Sequence, residues 1–133
     1  MEIDLITAEI DTIHQKVNLA FERKDMAIYM SQFDDGIRYT NADATVYDRK
    51  DLVYQTEKYF KKTKEISTTY YRIKSSFENQ IFTEKIARKS IVFEKGLMFA
   101  KKKTVQTEEI FNWKKIAGNW KVTGIEVVLE EKY

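Results

Sequence analysis

The chain has 133 residues, of which 43% are hydrophobic, 14% aromatic and 33% charged, with a formal net charge of +2. This balance is that of one soluble globular domain, and no apolar run approaches the about 20 residues that a membrane-spanning helix needs. The chain contains no cysteine, which excludes disulfide bonds, thiolate catalysis and cysteine-ligated metal sites.

The small net charge conceals an uneven distribution. Residues 1–35 carry eight acids and three bases, whereas lysines cluster in KKTK at 61–64 and KKK at 101–103. Nucleic-acid binding would explain such clusters, but so would solvated lysines that protect strand edges and turns from aggregation. No glycine-rich phosphate loop, recognition helix or aromatic ribonucleoprotein motif is present. We therefore predict no nucleic-acid partner.

The N-terminal segment is predicted to form a long helix. Its apolar residues recur at spacings of three and four from Ile6 to Phe21, which places them on one face of a helix over residues 3–23. The segment starts acidic (MEIDLITAEIDT) and has no basic stretch before an apolar one, so we predict no secretory signal and a cytoplasmic location. His14 is the single histidine, and Asp11 is its only acidic neighbour one turn away on the same helix. We expect His14 at the surface or at a dimer edge, and no metal site.

Two shorter helices are predicted next. Asp25 is suited to cap a helix over residues 25–32, because its side chain can accept a hydrogen bond from the first helical turn. Either Asp48 or Asp51 can cap a third helix over about residues 49–62.

The rest of the chain predicts a sheet. The sequence DDG at 34–36 indicates a turn that leads into a short strand, IRYT. After Glu65, apolar and polar residues alternate in four long segments rich in Thr, Ile, Val, Tyr and Phe, which predicts four long antiparallel strands. A long helix packed across such a curved sheet buries both apolar faces and leaves a cone-shaped cavity. We predict a single α+β domain over residues 1–133.

The segment WKKIAGNW is predicted to be a hairpin. Gly118 and Asn119 can adopt the positive φ that a tight connection needs. In a symmetric register Trp113 and Trp120 lie opposite each other as a cross-strand aromatic pair, whereas a bulge at the turn puts them on different faces.

Three segments carry a family resemblance: AFERKDMAIYMSQFDDGIRYT after the first helix, DRKDL at the start of the third, and EEIFNWKKIAGNWKVTGIEV near the C-terminus. With this element order, the chain resembles the nuclear-transport-factor-2-like superfamily, in particular its SnoaL-like and kinase-association-domain-like branches. The resemblance implies a cystatin-like cone, a curved antiparallel sheet around the long helix, with a pocket inside. It also implies a homodimer through the outer face of the sheet. Members include isomerases, dehydratases, cyclases, transport adaptors and oligomerisation modules, so the fold alone does not give a function.

The catalytic pattern of the ketosteroid isomerase branch fits poorly. That branch uses a carboxylate base on the first strand, a tyrosine and a protonated carboxylic acid. The resemblance places these roles at Thr40, Val17 and Glu109, and only Glu109 has the required chemistry. Glu109 is therefore the one weak catalytic candidate, and Arg38 is its expected ion-pair partner.

The expected cavity lining follows from the family's register for the two closing strands and from alternation around Thr40 on the first strand. The predicted ligand-binding residues are Arg38, Thr40, Tyr54, Glu109, Phe111, Trp113, Thr123 and Ile125. The expected cavity is mostly apolar with one charged pair, which favours an apolar ligand with a polar group. No cofactor is predicted.

Three classes of function remain open. The first is a small-molecule-binding domain, which the aromatic content favours; the second is a lyase, isomerase or cyclase that uses Glu109; the third is a homo-oligomerisation or adaptor module. The expected partners are a small apolar ligand and a second copy of the chain, without a nucleic-acid or membrane partner. We expect the second copy on the outer sheet face, at Ile110 and, if the hairpin is bulged, at Trp120 and Val122.

Overall fold

The computed structural model describes residues 2–133, which form three helices and six strands. The helices are α1 (Glu2–Arg23), α2 (Met26–Met30) and α3 (Arg49–Lys62). The strands are β1 (Phe33–Thr40), β2 (Val46–Tyr47), β3 (Thr63–Glu78), β4 (Ile81–Glu94), β5 (Lys101–Ile116) and β6 (Asn119–Lys132). The predicted α+β class, the three helices and the four long strands of the C-terminal half are confirmed.

All six strands form one curved sheet in the order β2-β1-β6-β5-β4-β3. The long strands pair antiparallel, as predicted, but β1 pairs parallel with β6, so the sheet is mixed. Strands β3 and β5 have 16 residues each, and β4 and β6 have 14. Strands of this length accumulate twist, and the sheet curls around α1.

The helix boundaries follow from side-chain caps. The carboxylate of Asp25 accepts a hydrogen bond from the backbone N–H of Ile28 at 3.2 Å. Asp48 and Asp51 form a capping box, in which each side chain accepts from the other residue's backbone N–H, at 2.8 and 3.1 Å. Both aspartates that the sequence offered for α3 therefore contribute, because they satisfy different N–H groups of its first turn.

The predicted turn at 34–36 is part of β1. The pairing with β6 shifts register between Phe33 and Arg38, so this stretch is a bulge rather than a reversal of the chain. The backbone N–H of Gly36 donates to the carboxylate of Asp34 at 2.9 Å, a local hydrogen bond within the bulge.

The β5–β6 turn lies one residue earlier than predicted. Ala117 and Gly118 have positive φ, 51° and 84°, whereas Asn119 begins β6. Trp113 pairs with Val122 instead of Trp120, and both tryptophans point into the core, with exposures of 0% and 8%. Neither expected arrangement of the tryptophans occurs, and Trp120 and Val122 are not on the outer face of the sheet. The two-residue turn pairs Val122 with Trp113, so both side chains lie on the inner face of the sheet.

The apolar face of α1 packs into the concave side of the sheet. Ile6 and Ile10 lie in one cluster with Phe82, Ile86 and other strand residues. Complete burial of a side chain such as Ile10 contributes about 1.5–3 kcal/mol, so this cluster supplies much of the stability of the fold. The cluster fills one end of the cone, and the other end stays open.

Candidate functional site

A cavity of about 260 Å³ occupies the open end of the cone. Its walls come from all three helices and from β1, β4, β5 and β6. The aromatic residues that line it are Phe21, Tyr29, Phe33, Tyr39, Tyr59 and Phe111. The volume lies just below the range of drug-sized ligand pockets, so the cavity suits a small ligand.

Tyr29 and Tyr39 bring hydroxyl groups into this aromatic wall. The ring of Tyr29 lies 5.2 Å from that of Phe21 and 5.7 Å from that of Phe33, between centroids. Burial raises the pKa of the Tyr29 hydroxyl to about 12, and burial likewise raises the pKa of Tyr39 well above 10.0. Both hydroxyls are therefore protonated at neutral pH and can donate a hydrogen bond to a ligand.

One ion pair interrupts the apolar surface. The guanidinium of Arg88 donates to the carboxylate of Glu109 at 3.2 Å, and the hydroxyl of Thr107 donates to the same oxygen. A second nitrogen of Arg88 donates to the side-chain carbonyl of Asn18 on α1 at 2.9 Å. All four side chains line the cavity, and Glu109 is 7% exposed. They give it a polar wall beside the two tyrosines.

Charged residues surround the mouth of the cavity. The carboxylate of Glu94 accepts from Lys103 at 3.0 Å and lies 3.5 Å from the ammonium of Lys62. The hydrogen bond from Lys103 lowers the pKa of Glu94, with smaller contributions from the charges of the two lysines. The Glu94 carboxyl at the mouth is therefore ionised at neutral pH.

A cleft continues from the cavity under α3. It shares Phe21, Tyr29, Tyr39, Tyr59, Lys62 and Lys132 with the cavity lining. It extends to Tyr47, Leu52, Gln55 and Thr56. An elongated ligand therefore has two directions in which to project from the tyrosine wall.

Three predicted ligand-binding residues line the cavity: Glu109, Phe111 and Ile125. The face of β5 that the sequence assigned to the cavity is the face that points inward. The expected partner of Glu109 is corrected, because the carboxylate pairs with Arg88 of β4 and Arg38 is exposed.

The other five predicted residues lie outside the cavity lining. Arg38 and Thr40 point to the opposite side of β1 from Ile37, which is buried, and from Tyr39, which lines the cavity. The predicted alternation of inward and outward residues on β1 is therefore wrong by one residue. Ile37 and Tyr39 occupy the inner face because burying their apolar side chains is favourable. Tyr54 is 63% exposed on the outer side of α3.

Thr123 and Trp113 lie outside the cavity lining for different reasons. The register shifts between the pairs Trp113–Val122 and Asn112–Gly124, which leaves Thr123 as an extra residue that points away from the cavity. Its hydroxyl donates to the carbonyl of Asn112 at 3.3 Å. Trp113 points inward but is fully buried in the core, deeper than the cavity. Its indole N–H donates a hydrogen bond to the carboxylate of Glu84 at 2.6 Å.

His14 is buried rather than at the surface, with 1% exposure, which corrects the sequence expectation. Its Nε2 lies 2.7 Å from a carboxylate oxygen of Glu84 on β4, and Arg72 of β3 donates to the other oxygen at 3.0 Å. Arg72 also donates to Asp11 on α1 at 2.6 Å. Together Asp11, His14, Arg72, Glu84 and Trp113 form a buried charge network that reaches solvent at Asp11, whose side chain is 40% exposed.

The buried charge network holds Glu84 ionised. Burial raises the pKa of this carboxyl, but the hydrogen bond from His14, the charges of His14 and Arg72, and the indole N–H of Trp113 together lower it below 4.5. Phe111 separates the network from the cavity, because its ring lines the cavity and lies 5.4 Å from the ring of His14. The sequence signal was the position of Glu84 between Phe82 and Ile86 in the inward alternation of β4.

The chain is similar to known proteins in its structure rather than in its sequence. No family model and no curated protein sequence matches the chain. Among solved structures, a conserved protein from Planctomyces limnophilus superposes with a TM-score of 0.87 at 9% identity, over 98% of this chain and 99% of that one.

Two further structures have enzyme names. A hexachlorocyclohexane dehydrochlorinase from Novosphingobium barchaimii superposes with a TM-score of 0.78 at 8% identity, over 100% of this chain and 94% of that one. A ketosteroid isomerase-like protein from Erwinia carotovora superposes with a TM-score of 0.72 at 15% identity, over 90% and 92%. These similarities show that the chain has a cystatin-like fold.

Two features are absent from the part of the chain that the structure describes. Across residues 2–133, no group of three or more His, Cys, Asp or Glu side chains converges in a way that could hold a metal ion. In the same part of the chain, no helix combines the length and the hydrophobicity that crossing a bilayer requires.

Proposed function

We propose that the protein is a small-molecule-binding domain whose cavity takes a small apolar ligand with one carbonyl or hydroxyl group. The observation that carries the proposal is the pairing of an aromatic wall with two protonated tyrosines and one satisfied ion pair. Binding sites for small organic molecules are mostly apolar, with few polar groups that fix orientation.

The polar groups suggest how such a ligand is oriented. A ligand carbonyl can accept from the hydroxyl of Tyr29 or Tyr39, and a ligand hydroxyl can also donate to Glu109. The carboxylate keeps Arg88 and Thr107 as partners, so it needs no ligand to be satisfied. Apolar burial then supplies most of the affinity, at about 25 cal/mol per Å² of surface removed from water.

The experiment is native mass spectrometry of the purified protein together with a cavity-filling variant. Val105→Trp places a large side chain into the cavity, whereas Gln106→Trp places the same side chain at the next position of β5, on its other face. We expect the wild type and Gln106→Trp to bind a small molecule, either one that co-purifies or an added apolar naphthalene probe. Binding to Val105→Trp should be at least about tenfold weaker. Equal binding by the two variants would place the ligand elsewhere.

A lyase or isomerase activity is the second candidate function. It is supported by the position of Glu109, a buried side chain that lines the cavity together with Tyr29 and Tyr39. In this proposal Glu109 takes a proton from the substrate and a tyrosine hydroxyl stabilises the oxygen that becomes negative. Glu109→Gln should abolish turnover while the cavity still binds ligand. Turnover that survives this change rules out Glu109 as the base.

A further inference from the structure

The β4–β5 loop, residues 95–100, exposes three consecutive large apolar side chains, which together form an apolar tip. Leu97 is fully exposed, Met98 is 91% exposed and Phe99 is 79% exposed. Contiguous exposed apolar groups of this kind usually mark a surface that meets a partner.

The backbone presents the apolar tip in a tight turn. A Cβ atom on Gly96 would lie 2.3 Å from the carbonyl oxygen of Phe99, a distance that real Cβ atoms do not show, so the turn requires glycine. The backbone N–H of Lys95 donates to the carbonyl of Lys62 at 2.9 Å, which fastens the base of the loop to the end of α3. The tip therefore belongs to a compact loop whose base is held by a backbone hydrogen bond.

Lysines surround the apolar tip. Residues 61–65 and 94–103 together contain seven lysines and two glutamates, a net charge of +5, whereas the whole chain carries +2. Lys61, Lys64, Lys95, Lys101 and Lys102 are exposed. Glu94, one of the two acids, is already neutralised by Lys62 and Lys103.

We propose that the apolar tip and these lysines form a docking site for an anionic membrane surface. Apolar side chains that enter the boundary between headgroups and acyl chains, flanked by lysines that contact anionic headgroups, are the two components of reversible attachment to a bilayer. This contact is peripheral and needs no spanning segment. It replaces the sequence-based expectation of no membrane partner, which rested on the lack of such a segment.

Other occupants fit the surface less well. Nucleic acid would use the lysines but would leave Leu97, Met98 and Phe99 in water. A second copy of the chain needs a complementary face of about 800 Å² per partner, more than a three-residue tip provides. A bilayer uses both the apolar and the basic part and demands no matching shape.

The proposed surface adjoins the cavity. Lys62, Glu94 and Lys103 belong to the cavity mouth and also to the lysine-rich segments around the tip. Docking would therefore bring the mouth to the bilayer surface. The docking proposal does not depend on ligand binding, because the apolar tip lies outside the cavity lining.

The test is flotation with lipid vesicles of two compositions, phosphatidylcholine alone and phosphatidylcholine with about 30% phosphatidylserine. We expect the full chain to float with the anionic vesicles and to be released by high salt. Lys101→Glu with Lys102→Glu should weaken partitioning by about thirtyfold or more, and Leu97→Ser with Phe99→Ser by about tenfold or more.

Control variants carry substitutions of the same kind elsewhere on the surface. Lys50→Glu with Lys114→Glu makes the same change of charge, and Leu5→Ser removes another exposed leucine. Both controls should float like the wild type, and circular dichroism should show that every variant is folded. The proposal is overturned if the wild type ignores anionic vesicles or if the tip variants bind as well as the controls. It is equally overturned if duplex DNA is bound in place of vesicles, or if the tip holds two copies together in sedimentation.

Discussion

The imidazole of His14 on α1 lies 2.7 Å from the carboxylate of Glu84 on β4, 70 residues further along the chain. Neither side chain is more than 1% exposed. Arg72 and Trp113 donate to the same carboxylate. Through this contact the long helix is fastened to the sheet by charge as well as by apolar packing.

Glu84→Gln tests this contact through stability. The amide cannot balance the charge of Arg72, and removing one partner of a buried ion pair destabilises a protein by about 3–5 kcal/mol. The control is Glu130→Gln on β6, whose partner Lys132 lies 3.6 Å away at the surface, and which should cost less than about 1 kcal/mol. Urea unfolding at neutral pH measures both. Equal losses would show that the buried charge network contributes no more than an exposed pair.

The same carboxylate predicts the acid dependence of stability. The pKa of Glu84 is lower in the folded protein than its ordinary value of 4.5, so the unfolded chain binds the proton more readily. Its contribution is therefore complete above about pH 4.5 and is lost as the pH falls through the lower folded pKa. The free energy of unfolding of the wild type should fall more steeply below pH 4.5 than that of Glu84→Gln. Parallel pH profiles of the two proteins would contradict this prediction.

The raised pKa values of the cavity tyrosines predict how the free energy of unfolding changes at alkaline pH. The pKa of Tyr29 is raised to about 12 by burial, from 10.0, so the folded state holds this proton more tightly than the unfolded chain. The corresponding stability is complete below pH 10.0 and is lost as the pH rises to about 12, a loss of about 2–3 kcal/mol. Tyr29→Phe should remove this part of the alkaline loss, as measured by urea unfolding. Tyr54→Phe, at a position that is 63% exposed, should leave it unchanged.

We expect a homodimer through the outer face of the sheet. Tyr71, Ala87, Glu108 and Leu129 face one another across β3 to β6, and Tyr71 and Leu129 are 65% and 43% exposed. Ile110 belongs to the same side of β5, opposite Glu109 and Phe111. Burial of these apolar groups against a second copy would remove them from water.

Sedimentation velocity at tens of micromolar measures this assembly. The wild type should sediment as a dimer and Tyr71→Glu with Leu129→Glu as a monomer, because the introduced charges face each other across the interface. Leu5→Glu, on the exposed side of α1, should remain a dimer. A monomeric wild type would contradict the prediction and would also count against an oligomerisation module.

Much of the fold could be predicted because its signals are local. The caps at Asp25 and Asp48, the spacing of apolar residues along α1, and the alternation after Glu65 each act within a few residues. The inner face of β5 followed from alternation in the same way, and Glu109 and Phe111 lie there. The family resemblance ordered these elements into a cone.

The contacts that make the site depend on residues far apart in the chain, and only the tertiary structure decided them. Glu109 is paired with Arg88 and not Arg38, because pairing in the sheet brings β4 and not β1 alongside β5. The register shift near Val122 turns Thr123 away from the cavity, and one residue of register decides which face of β1 is buried. His14 has no acidic partner on its own helix that explains its burial, and its partner Glu84 becomes adjacent only when the sheet closes around α1. Local sequence determines which side chains share a face of a strand or helix, whereas the pairing of the strands and the packing of α1 determine which of them come into contact.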